Sequence, residues 1–188
     1  MEKSRGLGSL HIKWGCLVWA CLAVTGCASD VPVSDDKPSV TVNLLNSQGV
    51  KIGTAVLTEE KAGEGVKIQL KASKLSPGPH GFHIHETGQC TPPDFKSAGG
   101  HFNPHHKAHG KLNPNGAHAG DLDNIVADAK GNVHSEQVAK GVTLAKGQPH
   151  SLFKSGGTSL VIHEGPDDLK TDPAGNSGKR VACGVIQP

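Results

Sequence analysis

Residues 80–121 read HGFHIHETGQCTPPDFKSAGGHFNPHHKAHGKLNPNGAHAGD and hold eight of the chain's twelve histidines: His80, His83, His85, His101, His105, His106, His109 and His118. The opening of this stretch, Gly81 to Glu86, has the alternation of a strand. Side chains on a strand point to opposite faces in turn, so Phe82 and Ile84 share one face and His83 and His85 the other. The apolar pair is expected in a core, and the imidazole pair projects together toward a ligand. From Thr87 to Ala119 no period is visible. A structureless segment of that length is uncommon in a compact domain unless it is functional, and ordering it costs enough entropy to require cross-links. Imidazole suits both copper and zinc. The stretch therefore predicts a two-metal site whose ligands come from one strand, one long loop and a distant strand carrying His163. The alternative is a histidine-rich loop that picks up metal adventitiously. Composition leaves the two even, and the spacing favours the first.

Outward from this stretch the chain reads as short strands. Upstream, Ser39 to Leu45, Val50 to Thr58 and Val66 to Ala72 alternate apolar and polar residues, and Ser76-Pro77-Gly78-Pro79 breaks the pattern. Downstream, Asn124 to Asp128 and Val133 to Val138 flank the turn at Ala129-Lys130-Gly131-Asn132. Val142 to Ala145 reads as a short continuation or edge. Ser159 to His163 has Leu160 and Ile162 inward and His163 outward. Glu164 to Lys179 is a second long loop, and Val181 to Ile186 is the last strand. With 25 glycines, 12 prolines and no long helical period, the expected fold is all-β: an eight-stranded antiparallel Greek-key barrel or sandwich with two long functional loops.

The first residues stand apart. Lys3, Arg5 and Lys13 precede an apolar run, Cys16 to Val24, of signal-peptide length and too short to span a membrane as a helix. The run ends Val24-Thr25-Gly26-Cys27, which resembles a bacterial lipobox and implies lipidation of Cys27. The expected organisation is a leader over residues 1–26, lipidated Cys27 and a flexible tether over 27–38, and one domain over 39–188. That implies an exported, membrane-anchored lipoprotein. Cys90 and Cys183 then remain, and an even pair in an exported domain reads as one disulfide. The leader carries Lys3, Arg5, Lys13 and Glu2, so its removal takes the formal charge from +2 to 0. No basic patch with interleaved aromatics points to nucleic acid.

His83-x-His85, His101-Phe-Asn-Pro, His118-x-Gly-Asp121, His163-Glu164 and Gly175-Asn-x-Gly-x-Arg180-x-x-Cys183-Gly resemble, in order and together, the copper,zinc superoxide dismutases. The resemblance implies one copper and one zinc ion per subunit, superoxide as the small-molecule substrate, and a β-sandwich fold. It implies copper ligands His83, His85, His101 and His163, and zinc ligands His101, His109, His118 and Asp121, with His101 serving both. It implies that Asp167 links His83 to His109, and that Arg180 lies beside the open side of copper to meet an anion, a place for which a brace of the loop is the alternative. His80 matches a structural position. His105 and His106 are additions expected in solvent, as are His134, His150 and Asp168. Ala174 replaces a threonine common in relatives beside the substrate channel. A copper carrier on the same fold, or an adhesion-type sandwich, are the rival readings. Carriers of that kind lose a copper ligand or the arginine, and a sandwich built for adhesion does not need clustered histidines. The sequence assigns no oligomeric state.

Overall fold

Alternating apolar residues build the sheet strand by strand. The computed structural model describes residues 37–61 and 63–188, so the expected leader, Cys27 and most of the tether lie outside the described residues. The strands are β1 (Ser39–Asn46), β2 (Lys51–Glu59), β3 (Val66–Ala72), β4 (Gly78–His80), β5 (Phe82–His85), β6 (Ile125–Ala127), β7 (Val133–Ala139), β8 (Thr158–His163) and β9 (Arg180–Ile186). Seven form one antiparallel sheet in the order β5-β8-β9-β1-β2-β3-β7, and β4 pairs with β6. The neighbours β3–β7, β5–β8 and β9–β1 are the long crossings of a Greek key. No helix among the described residues is long and apolar enough to cross a membrane.

One strand was not expected. β4 lies in the Ser76-Pro77-Gly78-Pro79 segment read as a break, and its Pro79 faces Val126 of β6. A two-stranded edge tolerates proline, whose missing N–H is not needed there. The chain then changes sheets at Gly81, whose N–H donates to the Gly165 carbonyl at 2.8 Å. A Cβ on Gly81 would meet Ser177 Cβ at 2.9 Å and His83 Cε1 at 3.2 Å, so glycine lets the second long loop close over His83. The reverse holds at Val142 to Ala145. No strand forms, and only an isolated bridge joins Thr143 to Ser151. Val142 and Leu144 still enter the core, while Glu59 accepts from the Thr143 hydroxyl and the Leu144 N–H.

The main core joins Val42, Leu44, Leu57, Leu70, Phe82, Ile84, Leu160 and Ile162 with their neighbours. A second cluster holds Phe95, Ala98, Val161 and Cys183, with Cys90 packed against it. It forms because β8 is buried on both faces, with the first long loop folded over the outer one. Cys90 and Cys183 are joined by the expected disulfide, with Cα atoms 5.6 Å apart. Phe95 takes a left-handed backbone, φ 54°. That conformation costs roughly 1–2 kcal/mol, and full burial of its ring contributes roughly 1.5–3 kcal/mol, enough to hold it.

Candidate metal centre

The first long loop is ordered by more than metal and disulfide. It pairs with the free edge of β5: Ile84 N–H donates to Gly120 O (2.9 Å), Phe102 N–H to Ile84 O (2.8 Å) and Glu86 N–H to Gly100 O (2.9 Å). Asp121 consequently lies opposite His83, and His101 opposite His85. The strand that presents the first two imidazoles thus sets the position of two more donors. His163 arrives from β8, where the register shifts between Ile162 and His163 so that His163 faces Arg180 across β9. Such bulges re-aim a side chain beside an active site. His80 Nδ1–H fixes the same point by donating to His163 O at 2.7 Å.

Two clusters result. The donor atoms of His83, His85, His101 and His163 all lie within 4.8 Å of one another, and so do those of His101, His109, His118 and Asp121. In the first cluster each ring spends one nitrogen as a donor. His83 Nε2–H donates to Asp167 Oδ2 (2.7 Å), His85 Nδ1–H to Gly99 O (3.0 Å), His101 Nδ1–H to Asp121 Oδ1 (2.8 Å) and His163 Nδ1–H to Gly178 O (3.3 Å). The opposite nitrogens, His83 Nδ1, His85 Nε2, His101 Nε2 and His163 Nε2, are buried with no protein partner. A buried polar atom left unpaired costs about 1–3 kcal/mol. Four converging nitrogens, with the tautomers of His83, His85 and His163 set from behind and His101 turning its other nitrogen to the second cluster, fit a cation that accepts an all-imidazole site, as copper does.

The second cluster offers three imidazoles and one carboxylate, a donor set suited to zinc. Asp121 Oδ1 lies 2.8 Å from His101 Nδ1 and 3.1 Å from both His109 Nδ1 and His118 Nδ1. Its Oδ2 accepts the backbone N–H of Gly110 (2.8 Å) and of His118 (3.0 Å). One oxygen is therefore anchored and the other presented. Asp167 spans the clusters, with Oδ2 on His83 and Oδ1 3.0 Å from His109 Nε2. Two further acids of that loop have structural work. Asp172 Oδ1 accepts the His109 N–H, and Asp168, exposed, accepts from Lys170 and Thr171 N–H and from the Asn176 amide. His105, His106 and His134 are exposed, and His150 is half-buried; none belongs to either cluster.

Arg180 reaches back to the first loop. Nη1–H donates to Phe95 O (2.8 Å) and Nη2–H to Gly99 O (2.7 Å). Gly99 O also takes the His85 Nδ1–H, so one carbonyl ties the guanidinium to a cluster imidazole. Beside Arg180 opens a cavity of about 490 Å³ lined by Lys96, Lys179 and Gly178, with Asp94 as its acid. Lys96 escaped the sequence reading because it comes from the first loop, far from Arg180 in the chain. The carbonyls of Phe95, Gly99 and Gly178 escaped it because a backbone acceptor leaves no mark in side-chain identity. Ala174 is half-buried, and its carbonyl accepts the Ser177 hydroxyl at 2.8 Å.

Burial lowers His85 to about 2 and His163 to about 3, and repulsion of a second charge by the neighbouring imidazoles and by the Arg180 guanidinium adds to it. Burial also lowers His101, to about 4, against the pull of Asp121. For His109 burial acts downward but the bonds to Asp121 and Asp167 prevail, raising it to about 9. Asp121 and Asp167, although burial alone would raise them, are held below the usual carboxylate range by their imidazole donors. A stability profile follows for metal-stripped protein. Below the ordinary histidine value of 6.5 the unfolded chain takes protons that folded His85, His163 and His101 refuse, so stability falls as pH drops toward 4 and beyond. Above 6.5, folded His109 keeps a proton that the unfolded chain releases, so stability also falls as pH rises through about 9. Calorimetry of the stripped protein should show a melting temperature highest near neutrality, and a flat profile would contradict neutral burial of these rings.

The copper/zinc superoxide dismutase family model matches residues 51–186. A Cu-Zn superoxide dismutase of Aquifex aeolicus is 58% identical over 146 residues, covering 77% of this chain and 85% of that protein. Among solved structures, a superoxide dismutase-like protein from Bacillus subtilis superposes with a TM-score of 0.75 at 44% identity, covering 78% of this chain and 97% of that one. The Cu/Zn superoxide dismutase of Brucella abortus gives a TM-score of 0.63 at 34% identity, covering 80% and 100%.

Proposed function

The chain belongs to the copper/zinc superoxide dismutase family and dismutes superoxide with copper and zinc, and from that premise we propose which side chains hold each metal and how they act. His83 Nδ1, His85 Nε2, His101 Nε2 and His163 Nε2 would hold copper, and His101, His109, His118 and Asp121 would hold zinc. The observation that carries this assignment is His101. Its Nε2 is an unpaired buried atom of the first cluster, while its Nδ1 faces Asp121 in the second.

Copper, when bound, supplies a one-electron couple that accepts an electron from one superoxide and returns it to another, and zinc supplies fixed positive charge without redox chemistry. Two superoxide ions and two protons leave as one oxygen and one hydrogen peroxide. The protein's part is to admit the anion and to handle a proton. Arg180, tied to Gly99 O together with His85, meets the anion beside the first cluster. His101 Nε2, buried in the first cluster with no protein partner, is the atom that would hand a proton to the departing peroxide, acting as a general acid. Asp121 orients the His101 ring from its Nδ1 side, and Asp167 orients His83 and His109. Metal analysis of the purified protein beside a superoxide-decay assay tests the assignment. One copper and one zinc per chain, with loss of decay on copper removal, is the expected result; activity without copper would refute it.

The disulfide marks an oxidising compartment outside the cytoplasm. We further propose that residues 1–26 are a lipoprotein leader, that Cys27 carries lipid, and that residues 27–38 tether the domain to a membrane, where it meets extracytoplasmic superoxide. Cys27→Ser should leave the precursor uncleaved or release the protein from membranes. A variant still processed and membrane-bound on fractionation would remove this reading.

A further inference from the structure

Asp167 joins the two clusters, yet it lies in the second long loop, between Gly165 and Leu169, outside every strand. A carboxylate that sets two ring directions must itself be held. Its side chain accepts from His83, His109 and the Leu169 N–H (2.6 Å). Its main chain is held by one residue. Asn124 Oδ1 accepts the Asp167 N–H at 2.8 Å, and Asn124 Nδ2–H donates to the Asp167 carbonyl at 2.9 Å. An amide carries donor and acceptor side by side, so it can clip both polar groups of a single peptide residue. A carboxylate or hydroxyl of similar size supplies only part of that pattern.

Asn124 has the same device behind it. Gln137 of β7 accepts the Asp123 N–H on Oε1 and donates from Nε2 to the Asp123 carbonyl, both at 2.9 Å. Gln137 is in the main sheet, paired in register with Ile68 of β3. A continuous path therefore runs from the sheet through Gln137 to the main chain at Asp123, then from Asn124 to the main chain at Asp167, and from that carboxylate to one ring of each cluster. There is little slack at its end. A Cβ on Gly175 would stand 1.7 Å from Asp167 Oδ1 and 2.9 Å from His109 Nε2. A displaced Asp167 has no empty space to occupy on that side.

We propose that Asn124, backed by Gln137, is the positioning residue for Asp167, and through it couples the geometry of the two metal clusters to the β-sheet. The proposal rests on the two-metal reading above. Neither amide hydrogen-bonds a metal-donor atom: Asn124 acts on the clusters through Asp167, whereas Gln137, which holds Asp123 two residues from Asp121, also bears on the second cluster through the main chain.

The structure also holds an internal control. Asn103 makes an equivalent clip on Lys107, donating to its carbonyl at 2.8 Å and accepting its N–H at 3.0 Å, without reaching Asp167. The experiment loads each variant with copper and zinc, then follows zinc release to a chelator and the Cu(II) electron paramagnetic resonance spectrum. Removing a partner that orients a metal-binding ring typically costs 10–100-fold in affinity. Asn124→Ala should therefore release zinc about tenfold faster or more and shift the copper spectrum, since His83 and His109 both lose their director. Asn124→Asp keeps the acceptor and loses the donor, so it should lie between wild type and alanine. Gln137→Glu should move both readouts in the same direction by less. Asn103→Ala, which loosens the segment between His101 and His109 without reaching Asp167, should move both readouts less than Asn124→Ala. Equal changes in Asn103→Ala and Asn124→Ala would mean general loosening of the loops and would overturn the proposal, as would wild-type zinc release and spectrum in Asn124→Ala and Asn124→Asp. If Asn124→Ala fails to fold, Asn124→Asp and Gln137→Glu decide by the same criteria. Failure of the underlying reading looks different: wild type would then lack zinc, or Asp121→Ala would retain it.

Discussion

His163→Ala should reduce superoxide decay to the uncatalysed background while zinc remains bound. The ring is buried, its Nε2 is one of the four unpaired nitrogens, and it belongs to the first cluster alone. Its removal leaves three imidazoles that still converge but no longer surround an ion. The β8 bulge that delivers it has no second candidate beside it, and His105 and His106 are exposed outside both clusters. The reciprocal change is Asp121→Ala. Asp121 Oδ1 is the sole carboxylate oxygen of the second cluster, so zinc should be lost while copper still binds, and His109 and His118 lose their common anchor. Metal content of the two purified variants, read with their decay rates, separates the assignments. Full activity in His163→Ala would show that the copper set is wrong, and zinc retained in Asp121→Ala would show the same for the zinc set.

Much of this was legible because two periods coincide in one short strand. Phe82 and Ile84 alternate with His83 and His85, so the residues that bury the strand also point the donors. The same alternation gave the other core strands to within a residue or two at each end. It failed where local pattern and tertiary context part. Val142 and Leu144 look like strand residues and are buried, but the neighbouring main chain is held by Glu59 rather than by a ladder. Pro77-Gly78-Pro79 looks like an end to structure, yet an edge strand can form where a proline N–H is not required. The donors were visible as side-chain types, but their tautomers were not. Gly99 O and Gly178 O fix His85 and His163, and a carbonyl belongs to every residue. Asn124 and Gln137 carry no signal either. An amide becomes a clip only when the fold sets a particular main-chain residue against it.

Arg180 should govern both how fast the anion arrives and how strongly salt slows it. The formal charge of residues 27–188 is zero, so long-range attraction must come from local arrangement. Around the cavity the cations Lys96, Lys179 and Arg180 outnumber Asp94, and a low-dielectric cleft focuses such a field. Two of the guanidinium's five N–H donors are committed to Phe95 O and Gly99 O, which hold it in place and leave the others for a small anion. The Cys90–Cys183 bridge packs with Phe95, so the disulfide cluster is what carries one of those two carbonyls. Arg180→Ala should keep both metals, lower the decay rate by roughly tenfold or more, at the low end of what steering provides, and flatten the dependence on ionic strength. Arg180→Glu should be slower still, because it repels the substrate. Arg180→Lys separates charge from bracing: it keeps the attraction but cannot reproduce the planar two-carbonyl grip, so salt dependence should persist while the rate falls. Lys170→Ala should change little, since Lys170 is exposed and outside the cavity beside Arg180, and exposed charges are largely screened at physiological salt. The deciding comparison is the slope of rate against ionic strength in wild type and Arg180→Ala. Equal slopes would mean that Lys96 and Lys179 steer the anion without help, and that Arg180 serves only to brace the first loop through Phe95 and Gly99.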